Sequence, residues 1–111
     1  MNAPIMVLLV SLDAPFRKAL LRECLAVAGD ATCVESDDGM GAMLAPALDS
    51  MDLVLLDGAL VKRHGPAWLT NWRRMVPRGV VLVLDAQGEQ NFVRARQAVR
   101  HAVERGARAG S

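Results

Sequence analysis

Cysteine is scarce in this chain of 111 residues, which holds only Cys24 and Cys33. Two thiols without C-x-x-C spacing make neither a disulfide framework nor a metal site. Each lies in an apolar stretch, where a cysteine behaves as a small buried hydrophobe of a reducing compartment. Lysine is scarcer than arginine, with Lys18 and Lys62 the only two. No apolar run approaches the roughly 20 residues a membrane-spanning helix needs. Residues 1–10 carry no basic region ahead of their apolar run, which argues against a secretory signal. His64 and His101 stand apart from any partner at catalytic spacing, and no Ser-His-Asp or Cys-His arrangement is legible. No internal repeat, low-complexity tract or linker breaks the chain before its last few residues. The expectation is a soluble cytoplasmic protein with no membrane contact.

What is present is apolar substance and a divided charge. Apolar residues make up 52% of the chain, enough to fill one core and to argue against disorder. The length suits a single domain over residues 1–111, with 106–111 expected as a frayed tail. The net charge of +1 conceals an asymmetry: residues 1–60 hold three basic and nine acidic side chains, whereas residues 61–111 hold ten and three. Such a split suits an acidic pocket and a basic partner-binding face, or simply solvated helix faces that differ.

Hydrophobic patterning alternates strand and helix. Residues 5–10 and 80–84 are short continuous apolar runs, and residues 52–57 place four apolar residues between two carboxylates. Runs of this kind are strands buried on both faces. The stretch 31–35 is less apolar and suits a sheet edge. Between the strands, a helix over about 15–28 presents Phe16, Leu20, Cys24 and Val27 at helical spacing, widened by Leu21 and Leu25 and ended by Gly29. Asp13 is its cap and Pro15 lies in its first turn. A second helix is expected over about 39–48, with Met40, Met43, Leu44 and Ala47 facing in. Residues 58–65 are expected as a loop. A third helix over Pro66–Met75 carries Trp68, Leu69, Trp72 and Met75, broken by Pro77 and Gly79. After a turn at Gln87 and Gly88, a long helix over about 89–105 lines one face with Phe92, Ala95, Val99 and Ala102, and Gly106 stops it. Strands alternating with helices predict an α/β fold, a parallel sheet with helices on both faces.

The segment Asp52-Leu53-Val54-Leu55-Leu56-Asp57 resembles the third strand of response-regulator receiver domains, the phospho-acceptor modules of two-component signalling. Gly65-Pro66-Ala67-Trp68-Leu69 resembles the start of their third helix, and residues 102–107 resemble their fourth helix running into its Gly-Ala end. The resemblance extends over about residues 5–107. It implies a flavodoxin-like doubly wound sheet in the order 2-1-3-4, with the fifth strand of such domains missing or supplied elsewhere. It assigns Asp57 to the position that accepts phosphate from a histidine kinase. The acidic pair that holds Mg²⁺ in receivers aligns here with Ser11 and Leu12, and only the neighbouring Asp13 is acidic. The hydroxyl residue that senses the phosphoryl group aligns with Asp85, and no lysine stands in the place of the phosphate-pairing one. Mg²⁺ needs oxygen ligands in near-octahedral array and neutralises the charge of the transferring group; Leu12 supplies no oxygen. The resemblance therefore implies a degenerate receiver that is not an enzyme. It would need no cofactor, bind Mg²⁺ weakly or not at all, and act through protein contacts. The alternative is a working phospho-acceptor with an atypical metal pocket around Asp57.

Receivers bind partners on the face around their fourth helix and fifth strand, so the resemblance points to the basic helix over 89–105, with Phe92, Arg96, Val99, Arg100 and Val103 as the expected contact residues. The partner would be a second copy, another domain of a signalling protein, or a histidine kinase. The apolar edge at 80–84 favours a homodimer. Other constellations carry less. Asp57 and Asp85 should end adjacent strands, where two close carboxylates push one pKa up, and with Asp13 they form a conceivable metal set. Gly39-Met40-Gly41 lacks the third glycine of a dinucleotide loop. The arginine-rich last helix has no aromatic interleaving of the kind that marks nucleic-acid binders. Trp68 and Trp72, one turn apart, read as core or as a partner-facing pair.

Overall fold

A computed structural model describes residues 4–37, 46–85 and 88–109. Its elements are β1 (Met6–Val10), α1 (Ala14–Val27), β2 (Thr32–Ser36), a 3-10 turn (Pro46–Ser50), β3 (Leu53–Asp57), α2 (Gly58–His64), α3 (Pro66–Met75), β4 (Val80–Leu84) and α4 (Gln90–Ala109). The strands form one parallel sheet in the order β2-β1-β3-β4, a doubly wound, flavodoxin-like α/β arrangement. Burial explains the order. The all-apolar β1 and β3 lie at the centre, β3 with every residue buried, while the more polar β2 takes an edge as its composition predicts.

Each face of the sheet carries its own core. On one, Val7, Leu9, Leu53, Leu55 and Leu84 pack against Phe16, Leu20 and Cys24 of α1 and Ala95, Val99 and Ala102 of α4. On the other, Leu8, Val10, Val54 and Leu56 pack against Leu48, Leu60, Trp68, Trp72 and Val76. The alternation of residues along β1 and β3 between the two cores follows from the period of two in a strand. Both tryptophans are buried, so the core reading of the pair holds and they present no surface to a partner. Burial pushes the Cys24 thiol up to about 12, and it also raises Cys33. Neither group has the lowered pKa of a reactive cysteine.

Four local expectations need correction. Residues 58–64 are a helix rather than a loop. Asp57 caps it, Leu60 anchors it in the core, and Lys62, Arg63 and His64 sit in its last turn, where cations suit the helix dipole. Leu25 is exposed on α1 and adds nothing to the core. Gly106 does not stop α4, which continues to Ala109; a glycine inside a helix costs only about 1 kcal/mol relative to alanine, and Ala102 is buried one turn earlier. The expected helix over 39–48 falls largely outside the described residues, as do Met40, Met43, Leu44, Gly39-Met40-Gly41 and Gln87; its described end, from Pro46, is 3-10. Among the described residues, no helix is long and apolar enough to cross a membrane.

Gly65 joins α2 to α3 with φ 90° and ψ 176°. That region of backbone space is essentially closed to residues with a Cβ. No heavy atom outside its chain neighbours lies within 4 Å of the position a Cβ would take, so a substitution there would test backbone strain alone. Gly65→Ala should lower the unfolding free energy by about 1–3 kcal/mol. Gly65→Asn should give no rescue, because asparagine eases the left-handed helical region and not this one. Urea denaturation followed by circular dichroism measures both.

Candidate functional site at the carboxyl end of the sheet

In an open α/β sheet, the crevice at the carboxyl ends of the strands, where the winding reverses, is the usual place for a site. Here the reversal lies between β1 and β3, and it brings together Ser11 and Asp57. Ser11 Oγ donates to Asp57 Oδ2 at 2.7 Å. Ser11 is 0% and Asp57 4% exposed. The other carboxylate oxygen, Oδ1, accepts from the backbone N–H of Ala59 at 2.9 Å as the cap of α2. Each oxygen of Asp57 therefore accepts a hydrogen bond from the chain itself. A buried carboxylate is tolerated only when hydrogen-bonded in this way.

Around this pair, the loop after β1 is tied down atom by atom. Asp13 N–H donates to Ser11 Oγ at 3.0 Å, and Asp13 Oδ1 accepts from Phe16 N–H at 3.1 Å as the cap of α1. Arg17 Nη1 donates to the Ser11 carbonyl at 2.5 Å, and its Nε pairs with Glu35 Oε1 at 3.0 Å. Lys18 Nζ meets Glu35 Oε2 at 2.8 Å. Arg17 is thus a strut from the loop to β2 that the sequence reading missed. Its only sequence signal is a basic residue four positions beyond a helix cap.

Leu12, in the second position where receivers carry an acid, is 53% exposed and offers no oxygen. Asp85 follows β4, and β4 does lie beside β3, with Asp57 in register with Leu84. Asp85 is itself exposed; a Cβ built on Gly58 would stand 2.7 Å from its Oδ1 and 3.2 Å from the Leu84 carbonyl, so the bare glycine lets the ends of β3 and β4 close together. Asn91, buried at the start of α4, accepts from the Asp85 N–H through Oδ1 at 3.2 Å, and its Nδ2 donates to the Asp85 carbonyl. Asn91 fixes the Asp85 backbone and was also missed, although asparagine near a helix start is a familiar capping residue. Among the described residues, no three of His, Cys, Asp and Glu gather closely enough to hold a metal ion, and Asp13, Asp57 and Asp85 do not form one set.

The expected contact residues on α4 divide by face. Val99 is wholly buried in the core, so it leaves the contact surface. Phe92 packs against the core with its ring tilted on Phe16 at 6.0 Å, and Arg96 pairs with Glu23 of α1 at 2.7 Å. Arg100 and Val103 are exposed. The separation follows from helical spacing, which puts Phe92, Ala95, Val99 and Ala102 on the sheet side. Comparison with protein-family models, curated proteins and solved structures gives no match.

Removing the Asp57 carboxylate takes away a helix cap, about 1 kcal/mol, and a buried hydrogen bond to a charged group, about 1.5–3 kcal/mol. Asp57→Ala should therefore destabilise the fold by about 2–4 kcal/mol. Asp57→Asn keeps an acceptor for Ala59 and should lose about 1 kcal/mol. Unchanged urea midpoints for both variants would refute the structural role.

The Lys18 hydrogen bond, ahead of that from Arg17, holds the Glu35 carboxyl below its ordinary 4.5. Folding thus favours its ionised form. The stabilisation is present above about pH 4.5 and is lost as the pH falls through the lowered folded value. Glu35→Gln should lower the melting temperature at neutral pH and flatten its fall in acid, as read by thermal melts across that window.

Proposed function

We propose that this chain is a degenerate receiver-like module of two-component signalling in the cytoplasm, acting by protein–protein contact without ordinary Mg²⁺-dependent phosphorylation and without enzymatic activity. The single observation that carries the reading is the state of Asp57. It lies at the carboxyl end of a central strand beside the winding reversal, the position that the resemblance gives to a receiver's acceptor, yet both of its oxygens serve the fold. An acceptor carboxylate needs an oxygen open to an in-line donor, a metal bridging it to the phosphoryl group, and a cation for the remaining charge. Ser11 holds the first closed, Leu12 supplies nothing to the second, and exposed Asp85 adds charge of the wrong sign. The basic second half of the chain is then the surface available to partners. The partner is a second copy, a further domain of a signalling protein, or a histidine kinase.

Acetyl phosphate with Mg²⁺ followed by intact-mass spectrometry tests the reading. The expected result is an unmodified chain. Gain of one phosphoryl mass, absent from Asp57→Ala, would establish instead a working acceptor with an atypical metal pocket.

A further inference from the structure

β4 is the outer strand of the sheet, and no described residue continues the sheet beyond it. Its register settles which groups face outward. Val80 N–H donates to the Asp52 carbonyl at 3.1 Å, so Val80, Leu82 and Leu84 turn their backbone groups towards β3. Val81 and Val83, alternating with them, turn theirs to the open side. An apolar strand with outward N–H and C=O groups is a template for another strand.

The open side is not chemically neutral. Val80 and Leu82, with Ala98 of α4, floor a groove of about 250 Å³ whose walls are Arg94, Gln97, His101 and Arg105. No acidic side chain lines it. Arg96, on the other side of the helix, has Glu23; Arg94 and Arg105 form no ion pair with any described residue. Among the described residues, Arg105 reaches only the Asp52 carbonyl, at 3.4 Å. The groove thus offers an apolar floor and guanidinium groups on its wall, beside the outward backbone groups of Val81 and Val83.

We infer that the β4 edge and the Arg94–Arg105 wall of α4 bind an extended acidic segment of a partner protein as a fifth strand, with acidic side chains towards α4 alternating with apolar ones towards Val81 and Val83. This deepens the reading of the chain as a binding module and rests on it. Strand addition draws affinity from main-chain hydrogen bonds and specificity from alternate side chains. Charge decides against a second copy here. Antiparallel pairing of two β4 edges about a two-fold axis would set one α4 beside the other and bring like arginines together, and like charges across an interface oppose assembly.

The test uses the full chain and two labelled synthetic peptides, one alternating glutamate with valine and one alternating lysine with valine, with binding read by fluorescence anisotropy. The glutamate peptide should bind saturably, weaken with added salt, and lose at least about tenfold in affinity against the double variant Arg94→Glu, Arg105→Glu. The lysine peptide should not bind. Because the variant alters two exposed side chains, circular dichroism checks its fold, and amide exchange on the unmutated chain gives an independent reading: bound peptide should protect the Val81 and Val83 N–H groups and leave Leu82 as it was. Equal binding of the two peptides, no binding of either, or no protection at Val81 and Val83 would each overturn the inference. Concentration-dependent dimerisation that protects the same two amides without peptide would overturn the choice of occupant. The phosphodonor experiment stands apart from these outcomes. An unbound peptide with Asp57 unmodified sinks the groove alone, and a phosphorylated Asp57 with peptide bound sinks the degenerate, unphosphorylated reading alone.

Discussion

A carboxylate cannot be buried without partners, and the position of Asp57 makes that requirement the organising constraint of the molecule. The chain meets it by bringing β1 and α2 to the end of β3. Ser11 comes from the loop after β1, and the Ala59 N–H comes from the first turn of α2. Asp52, at the other end of the same strand, does a matching thing: its Oδ2 accepts from the Met6 N–H at 2.8 Å while its own N–H donates to the Met6 carbonyl at 2.9 Å. The two acids that flank β3 therefore fasten it to β1 at one end and to both β1 and α2 at the other. The register between the central strands is held by charge-assisted bonds at both ends as well as by the apolar residues between.

The same pattern was the clearest signal in the sequence, and its legibility was uneven for a physical reason. Four apolar residues between two acids identify a central strand, because strand burial is written in local composition. β4 and α3 are legible on the same grounds, and their bounds agree with expectation. α2 was not. Its seven residues hold one buried large side chain, Leu60, among glycine and basic residues, and periodicity has nothing to work on over two turns. Its signals are the cap and the cationic end, and the cap was concealed because Asp57 had a more conspicuous reading as an acceptor. α4 shows the opposite failure. Its periodicity places Phe92, Ala95, Val99 and Ala102 on one face, and the family analogy makes Phe92 and Val99 contact residues as well. Val99 is wholly buried and serves the core alone, whereas Phe92 is half-buried, packed on the core and lining a surface groove with Arg96.

At the candidate site, sequence could name residue types but not what each atom faces. Ser11, Asp57 and Asp85 were identified from alignment with a motif, and the motif says nothing about whether an oxygen is open. Arg17 and Asn91, which hold the loops around the site, carry no motif at all. Their parts are long-range or depend on a turn: Arg17 links residues 11 and 35, and Asn91 reaches back to the Asp85 backbone. Such bonds appear only once the sheet order has brought the strand ends together.

Two effects oppose chemistry at Asp57, and their sizes rank them. Repulsion from Asp85 is the more visible, but Asp85 is exposed, and water and salt screen a charge in that position; in bulk water two unit charges 4 Å apart interact by only about 1 kcal/mol. The hydrogen bonds to Asp57 are buried. Freeing even one carboxylate oxygen from a charge-assisted bond costs about 1.5–3 kcal/mol, which is between about tenfold and about a hundredfold in rate. The same step would leave either the Ser11 hydroxyl or the Ala59 N–H without its partner, and where that group stays shut away from water the loss adds a desolvation penalty of similar size. The internal bonds thus outweigh the external charge. A chain that uses the Asp57 carboxylate to fasten β1, β3 and α2 gains stability from the very bonds that withdraw the group from reaction.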